Sequence, residues 1–275
     1  MNYTKPHVFL LAKPSINNDG MLAWLKHMGA SDYYHKKSDS DAESLIMAVA
    51  KRCYMSFVPK LNPNVKMVRE NVHDYLDHVL ASGHGSVLEH ASFTFAIEGV
   101  SRVFTGEMNR HRAGVAISEG SMRFISFDDI PITETLSMNS RKTPNFESKE
   151  FNQMHLIIDA FISEAFAMTQ TLYNSTDSML KRLGYEDLPM PLKKILTSKV
   201  RRAVGMGVTT GGVWTFNVRA LRHVLELRGT EHAEEEIWEV VQLILPIMIK
   251  ECPNLFGDFK YDSKTNNYTP KYHKV

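Results

Sequence analysis

The chain has 275 residues, enough to bury a sizeable core without help from disulfides or metal ions. Hydrophobic residues make up 43% and charged residues 23%, the balance of a soluble globular protein, and a formal net charge of +1 gives no argument for a nucleic-acid polymer or a membrane as partner. The two cysteines, Cys53 and Cys252, form no CxxC pair, so neither a disulfide framework nor a structural zinc site is expected, and a cytoplasmic setting is the simpler reading.

No apolar run reaches the length of about eighteen residues that a membrane span needs. Met1 to Lys13 is too short and too interrupted for a secretory signal. Along the chain, the polar stretch 36–41 ends in Ser40 and Asp41, either of which can cap a helix over Ala42 to Phe57 with Leu45, Val49 and Cys53 on one face. Val68, Val72, Leu76, Val79 and Leu80 recur at helical spacing, with Gly83 as the residue past the helix end. Phe93, Phe95 and Ile97 alternate with Thr94 and Ala96, which predicts a strand. Ser101 can cap a short helix to about Arg112, and 113–120 reads as a loop.

The polar stretch from Pro131 to Phe146 reads as irregular, and Phe151, Met154, Ile158, Phe161, Ala165, Met168 and Leu172 mark a long amphipathic helix. Pro191 suits the first turn of a helix carrying Ile195 and Val200. Gly205, Gly207, Gly211 and Gly212 break that run before a short strand, Val213 to Phe216. Helical spacing returns from Val218 to Leu227, ended by Gly229, and again from Glu234 to Lys250, where Pro246 should kink or shorten the helix. The polar tail after Tyr261 is expected to be mobile. The reading is an α+β chain, a single domain over 1–275 with its core at about 45–256, built from long helices around a small, mostly antiparallel sheet.

Two polar clusters stand out. Arg110-His111-Arg112 puts two guanidiniums and an imidazole at a helix end, and Glu119-Gly120-Ser121-Met122-Arg123 adds a carboxylate, a hydroxyl and a guanidinium on a turn. Guanidiniums bind phosphate as forks, a hydroxyl and turn amides complete an anion cradle, and a carboxylate suits sugar hydroxyls. These types together fit a nucleotide. The second cluster is Arg201, Asn217, Arg219, His223, Arg228 and His232, with Arg219 and His223 an i, i+4 pair on one helix face. His84, Glu89 and His90 lack the spacing of a zinc helix, so no metal site is expected.

The run Arg110-His111-Arg112 … Glu119-Gly120-Ser121-Met122-Arg123-Phe124 resembles the signature of the flavin-dependent thymidylate synthases. Gly83-His84-Gly85-Ser86-Val87-Leu88-Glu89-His90 is similar to the family's Gly-His-x-Ser/Thr-x-x-Glu-His, and Ala50-Lys51-Arg52-Cys53-Tyr54 to its first helix. Trp214-Thr215-Phe216-Asn217-Val218-Arg219-Ala220-Leu221 is similar to its Trp-Thr-x-Asn-x-Arg-x-Leu, with Arg228 and His232 at family spacing. The loop between Arg112 and Ser121 is one residue longer than usual in the family, Ser118 replaces an Asn, and Glu107 replaces a Gln.

The resemblance implies flavin adenine dinucleotide as cofactor, with NADPH and methylenetetrahydrofolate as co-substrates in the methylation of dUMP at C5 to dTMP. No cysteine attacks the ring. It implies that Ser86, Arg110, His111, Arg112, Asn217, Arg219 and His223 hold the flavin, with His84, Glu119 and His232 also at the cofactor. Ser121, Arg123 and Arg201 would hold the nucleotide phosphate, and Glu119 would lie near the sugar. Glu107, Arg110, Gly120 and Met122 belong to the same substrate region. Arg228, the implied catalytic residue, would lie along the uracil edge, where a guanidinium favours the N3-ionised ring and makes C5 more nucleophilic. The resemblance also implies a homotetramer, for which the helix over 151–172 offers a surface. Two alternatives stay open: a paralogue methylating or hydroxymethylating another pyrimidine nucleotide such as UMP, and a flavin- or nucleotide-binding protein without catalysis.

Overall fold

The structure is a computed structural model that describes residues 3–35, 38, 40–121, 132–133, 149–264 and 267–273. Short β1 (Tyr3–Thr4) leads into β2 (His7–Ala12), then α1 (Asn18–His27), α2 (Asp41–Tyr54) and α3 (Val72–Ala81). β3 (Ser92–Ser101) follows, then α4 (Arg102–Met108), β4 (Val115–Glu119) and β5 (Ile132–Thr133), which pairs with β1 in parallel. Next come α5 (Lys149–Arg182), α6 (Met190–Val200), β6 (Thr209–Asn217), α7 (Val218–Arg228), α8 (Glu235–Glu251), α9 (Pro253–Phe256), β7 (Phe259–Asp262) and β8 (Asn267–Pro270).

The main sheet is antiparallel in the order β2-β3-β6-β4. Alternation decides its two faces. Phe93, Phe95 and Ile97 of β3, with Trp214 and Phe216 of β6, point into the core and are almost wholly buried. Phe104 of α4 meets the Trp214 ring edge-on at a centroid distance of 5.8 Å. On the other face Thr94 and Thr215 share a hydrogen bond of 2.9 Å. The buried residues of α2, α3, α7 and α8 join the inner face in one hydrophobic core. Among the described residues no helix is long and apolar enough to cross a membrane.

Several expectations need correction. The stretch 113–120 contains strand β4, because Val115, Ile117 and Glu119 align with Phe216, Trp214 and Gly212 of β6; a neighbour distant in sequence supplies the ladder. The helix after Ser101 ends at Met108, with Asn109 as its cap. In α2 the buried set is Ala42, Glu43, Ser44, Ile46, Met47, Ala48, Ala50 and Lys51, while Cys53 is exposed, since neighbours cover the helix on a different side. The strand expected at Val213 to Phe216 extends over nine residues, and the Glu98 carboxylate lies over Gly211.

Pro246 does not end α8, which runs on to Glu251. A helix-interior proline costs about 3 kcal/mol, but burying Ile244, Leu245 and Met248 around it stabilises by about 1.5–3 kcal/mol each. The tail is pinned as well. β7 and β8 form a hairpin, Asn267 Oδ1 accepts from Trp238 Nε1 at 2.8 Å, and the Tyr272 hydroxyl donates to Asp77 at 2.6 Å. The stretch 131–146 lies outside the described residues apart from β5. The long helix is present as α5, yet none of its described residues is buried: Ile157 is 68% and Phe161 70% exposed.

Candidate active site

α4 and α7 build the site. Ser101 caps α4, its Oγ accepting from Val103 N and Phe104 N. Its own N–H and hydroxyl donate to Glu236 of α8, which anchors the helix start to the core. Burial pushes the Glu236 carboxyl up to about 7 against the pull of those bonds. The last turn of α4 then delivers Glu107, and the turn beyond it Arg110 and His111.

α7 starts at Asn217, whose side-chain oxygen accepts from Ala220 N at 2.8 Å. The loop after Arg112 rests on that cap. Gly114 has φ +71°, and a Cβ there would come within 2.4 Å of Asn217 Nδ2, so only glycine permits the approach. Asn217 N also donates to Gly114 O at 2.9 Å. At the other end of α7, Arg228 lies where the helix dipole favours a cation. Its Nη1 is 3.0 Å from Glu107 Oε2, and its Nε–H donates to His111 Nε2 at 3.0 Å. The other Glu107 oxygen is 3.1 Å from Arg110 Nη1. His223, five residues before Arg228 on α7, meets the His111 ring edge-on, with centroids 6.0 Å apart and planes at 71°.

The protonation pattern follows. Because His111 Nε2 accepts a bond, its proton sits on Nδ1. Burial, then the Arg228 charge and His223, hold the imidazole below its usual pKa, so it is neutral at pH 7 and has an N–H to offer a ligand. Opposite-sign pairing through Glu107 pulls the other way and is the smaller effect.

Glu119 sits deeper in a second network. It takes charge-assisted bonds from Arg102 and from Asn109 Nδ2 (2.8 Å), while Asn109 Oδ1 accepts from Trp214 Nε1 at 3.1 Å. Arg102 also donates to Gly120 O at 2.7 Å. The Glu119 carboxylate is thus committed to bracing the turn, a role its sequence position did not announce. Arg102 and Asn109 were not singled out by sequence, and helical spacing from Ser101 was the one signal available.

The remaining residues fall in three groups. Arg219 of α7 is half exposed and pairs at 2.6 Å with Glu89, in the turn Gly85–His90 that also holds exposed Ser86. His84 stacks on Tyr54 at 5.9 Å and stands edge-on to His78 at 6.3 Å. Arg201, in the turn after α6, makes no hydrogen bond or ion pair with the cluster among the described residues, and His232 points outward beside Glu231. Gly120 and Ser121 follow β4, whereas Met122 and Arg123 lie outside the described residues. No group of three metal-ligating side chains is present among the described residues.

The exposed guanidiniums of Arg110, Arg112 and Arg219, the two imidazoles and the glycine-permitted loop suit a long ligand with a diphosphate and a flat ring, and a flavin dinucleotide is such a ligand. Residues 36–254 match the family described as thymidylate synthase complementing protein. The chain belongs to that family. It is 30% identical to a flavin-dependent thymidylate synthase of Corynebacterium aurimucosum over 83% of this chain and 84% of that one. It is 31% identical to a flavin-dependent thymidylate synthase of Mycobacteroides abscessus over 81% and 82%. Among solved structures it resembles the UMP/dUMP methylase PolB from Streptomyces cacaoi bound with 5-Br dUMP, with a TM-score of 0.60 and 16% identity over 93% of this chain and 94% of that one, a likeness of fold. The family match takes in α2 to α8, so both arginine clusters fall inside the family's shared region.

Proposed function

We propose that the chain is a flavin-dependent enzyme that methylates C5 of a pyrimidine nucleotide, with dUMP as acceptor and dTMP as product. The observation that carries this is the Glu107–Arg228–His111 cluster beside His223, where α7 and the turn after α4 put a guanidinium and a neutral imidazole side by side. Curated relatives named flavin-dependent thymidylate synthase support it.

Ser86, Arg110, His111, Arg112, Asn217, Arg219 and His223 hold flavin adenine dinucleotide, while Glu119 braces the turn beside it. When bound, the flavin, reduced by NADPH, supplies the hydride that makes the transferred one-carbon unit a methyl group. Methylenetetrahydrofolate supplies the carbon, and the C5 hydrogen leaves as a proton. Arg228 lies along the pyrimidine carbonyl edge and stabilises negative charge developing on the ring. His111 donates its Nδ1–H to a ligand carbonyl. Ser121, Arg123 and Arg201 take the phosphate, with Glu107, Arg110, Gly120 and Met122 lining the nucleotide.

Self-association completes the site in this reading. α5 exposes Met154, Ile157, Phe161, Met168 and Leu172 along its length, and in this reading a homotetramer covers them.

The test is to mix the flavin-loaded protein with NADPH, methylenetetrahydrofolate and dUMP or UMP, then follow NADPH oxidation and the nucleotide mass. A methyl gained by dUMP supports thymidylate synthesis. A product from UMP but not dUMP supports the second reading, a related pyrimidine methylase or hydroxymethylase, which the Glu107 carboxylate at Arg228 favours by altering the ring contacts. No NADPH oxidation with either nucleotide leaves a binding protein.

A further inference from the structure

The unusual element of this site is a carboxylate bonded to the very arginine that faces the pyrimidine. We propose that Glu107 positions Arg228 and offsets its charge, so that the pyrimidine binds in its neutral N3–H form rather than as the ring anion. The inference rests on the reading of Arg228 as the residue along the pyrimidine edge.

Geometry supports it first. Glu107 spans two elements, with one oxygen 3.1 Å from Arg110 Nη1 and the other 3.0 Å from Arg228 Nη1. Arg228 spends its Nε–H on His111. Two of the directions in which the guanidinium can donate are therefore fixed before any ligand arrives, and a rigid fork loses less freedom on binding. The Arg228 side chain is 19% and that of Glu107 22% exposed, so water screens the pair only in part.

Charge supports it second. The groups facing Glu107 are Arg110 and His111 from the turn after α4, Arg228 from α7 with His223 behind, and Glu234 from the start of α8. His111 is neutral. Glu234 caps α8 through Glu236 N and Ile237 N, and burial raises its carboxyl. Two guanidiniums thus flank the Glu107 carboxyl. A lone guanidinium would attract a ring anion; here Glu107 lies on the same guanidinium and repels one. A carboxylate accepts hydrogen bonds only, so it also favours a ring edge that keeps its N–H.

The probe is 5-fluoro-dUMP, whose fluorine acidifies N3 and whose fluorine NMR shift reports N3 ionisation against any protein or flavin background. Titrating the bound nucleotide on the flavin-loaded wild type, Glu107→Gln and Glu107→Asp separates charge from shape. In Glu107→Gln, N3 should ionise at lower pH, with an ionised fraction on the order of tenfold larger at a pH below the midpoint. Glu107→Asp keeps the charge and should return toward wild type. A second titration needs no nucleotide. The His111 imidazole should protonate at lower pH in Glu107→Gln, because the carboxylate that favours its cation is gone. Identical N3 titrations in wild type and Glu107→Gln overturn the charge role. An unmoved His111 overturns the coupling. If wild type methylates dUMP and only these titrations fail, the functional reading stands and this inference falls; if wild type binds no pyrimidine nucleotide, both fall.

Discussion

Glu236 offers a test of the link between the core and the site. It is a carboxylate placed under the first turn of α4, taking the N–H and hydroxyl of Ser101. Burial is the largest influence and raises its pKa from the ordinary 4.5 to about 7; the Ser101 bonds lower it, and Glu234 and Glu239 add to the rise. The folded value lies above the unfolded one, so between these limits the native state holds more protons than the unfolded chain. Stability is therefore fully present below pH 4.5 and is lost as pH rises toward 7. At about 1.4 kcal/mol per unit the loss is about 3 kcal/mol. Glu236→Gln removes this titration, at a roughly constant cost of about 1–3 kcal/mol for an imperfectly matched Ser101 donor. Urea unfolding between pH 4.5 and 7.5, followed by tryptophan fluorescence at one protein concentration, should give a wild-type midpoint that falls with pH and a flatter profile in the variant. The residual slope combines Glu234, which is raised with the same sign, with His78 and His111, whose lowered pKa values act in the opposite sense. Parallel pH profiles for the two proteins would refute the reasoning.

Two further outcomes follow from close contacts. Gly114→Ala places a Cβ against Asn217 Nδ2 at a left-handed backbone position; about 1–2 kcal/mol of backbone strain and about 1 kcal/mol from a disturbed cap should lower the melting temperature and weaken flavin retention. A variant that melts with wild type would show that the loop after Arg112 does not rest on Asn217. Asp258→Ala strips the partner from Arg222, a buried guanidinium held at 2.7 and 2.9 Å by both Asp258 oxygens, and should cost about 3–5 kcal/mol in urea unfolding; a loss under about 1 kcal/mol would mean that water reaches Arg222.

Short-range periodicity made much of the fold legible. Phe93, Phe95 and Ile97 alternate because a pleated strand puts them on one face, and the Val218 to Leu227 spacing marked α7 because its buried stripe repeats every turn. Ser101 announced α4 by capping chemistry, whereas the Asn217 cap of α7 appeared only in the structure. The two arginine clusters were legible as chemistry, since guanidinium, imidazole and carboxylate at those spacings have few purposes together. The edge strand β4 was not legible: five residues ending in Ser-Glu carry a weak local preference, and β6, almost a hundred residues away, supplies the hydrogen bonds. The tail looked mobile because its composition is polar, yet Asn267 and Tyr272 find partners on α8 and α3.

Sequence by itself thus determined most of the element types and the family signature. Tertiary structure alone decided which charges meet. Arg219 and Arg222 lie three residues apart on α7, yet one is half exposed beside Glu89 and the other is buried against Asp258. Glu107 and Arg228 are far apart in the chain and touch only because α4 and α7 pack against a common core. Periodicity records which face of an element is apolar. It holds no record of what another element brings to the opposite side of a gap, and the pairing of Glu107 with Arg228 depends on that.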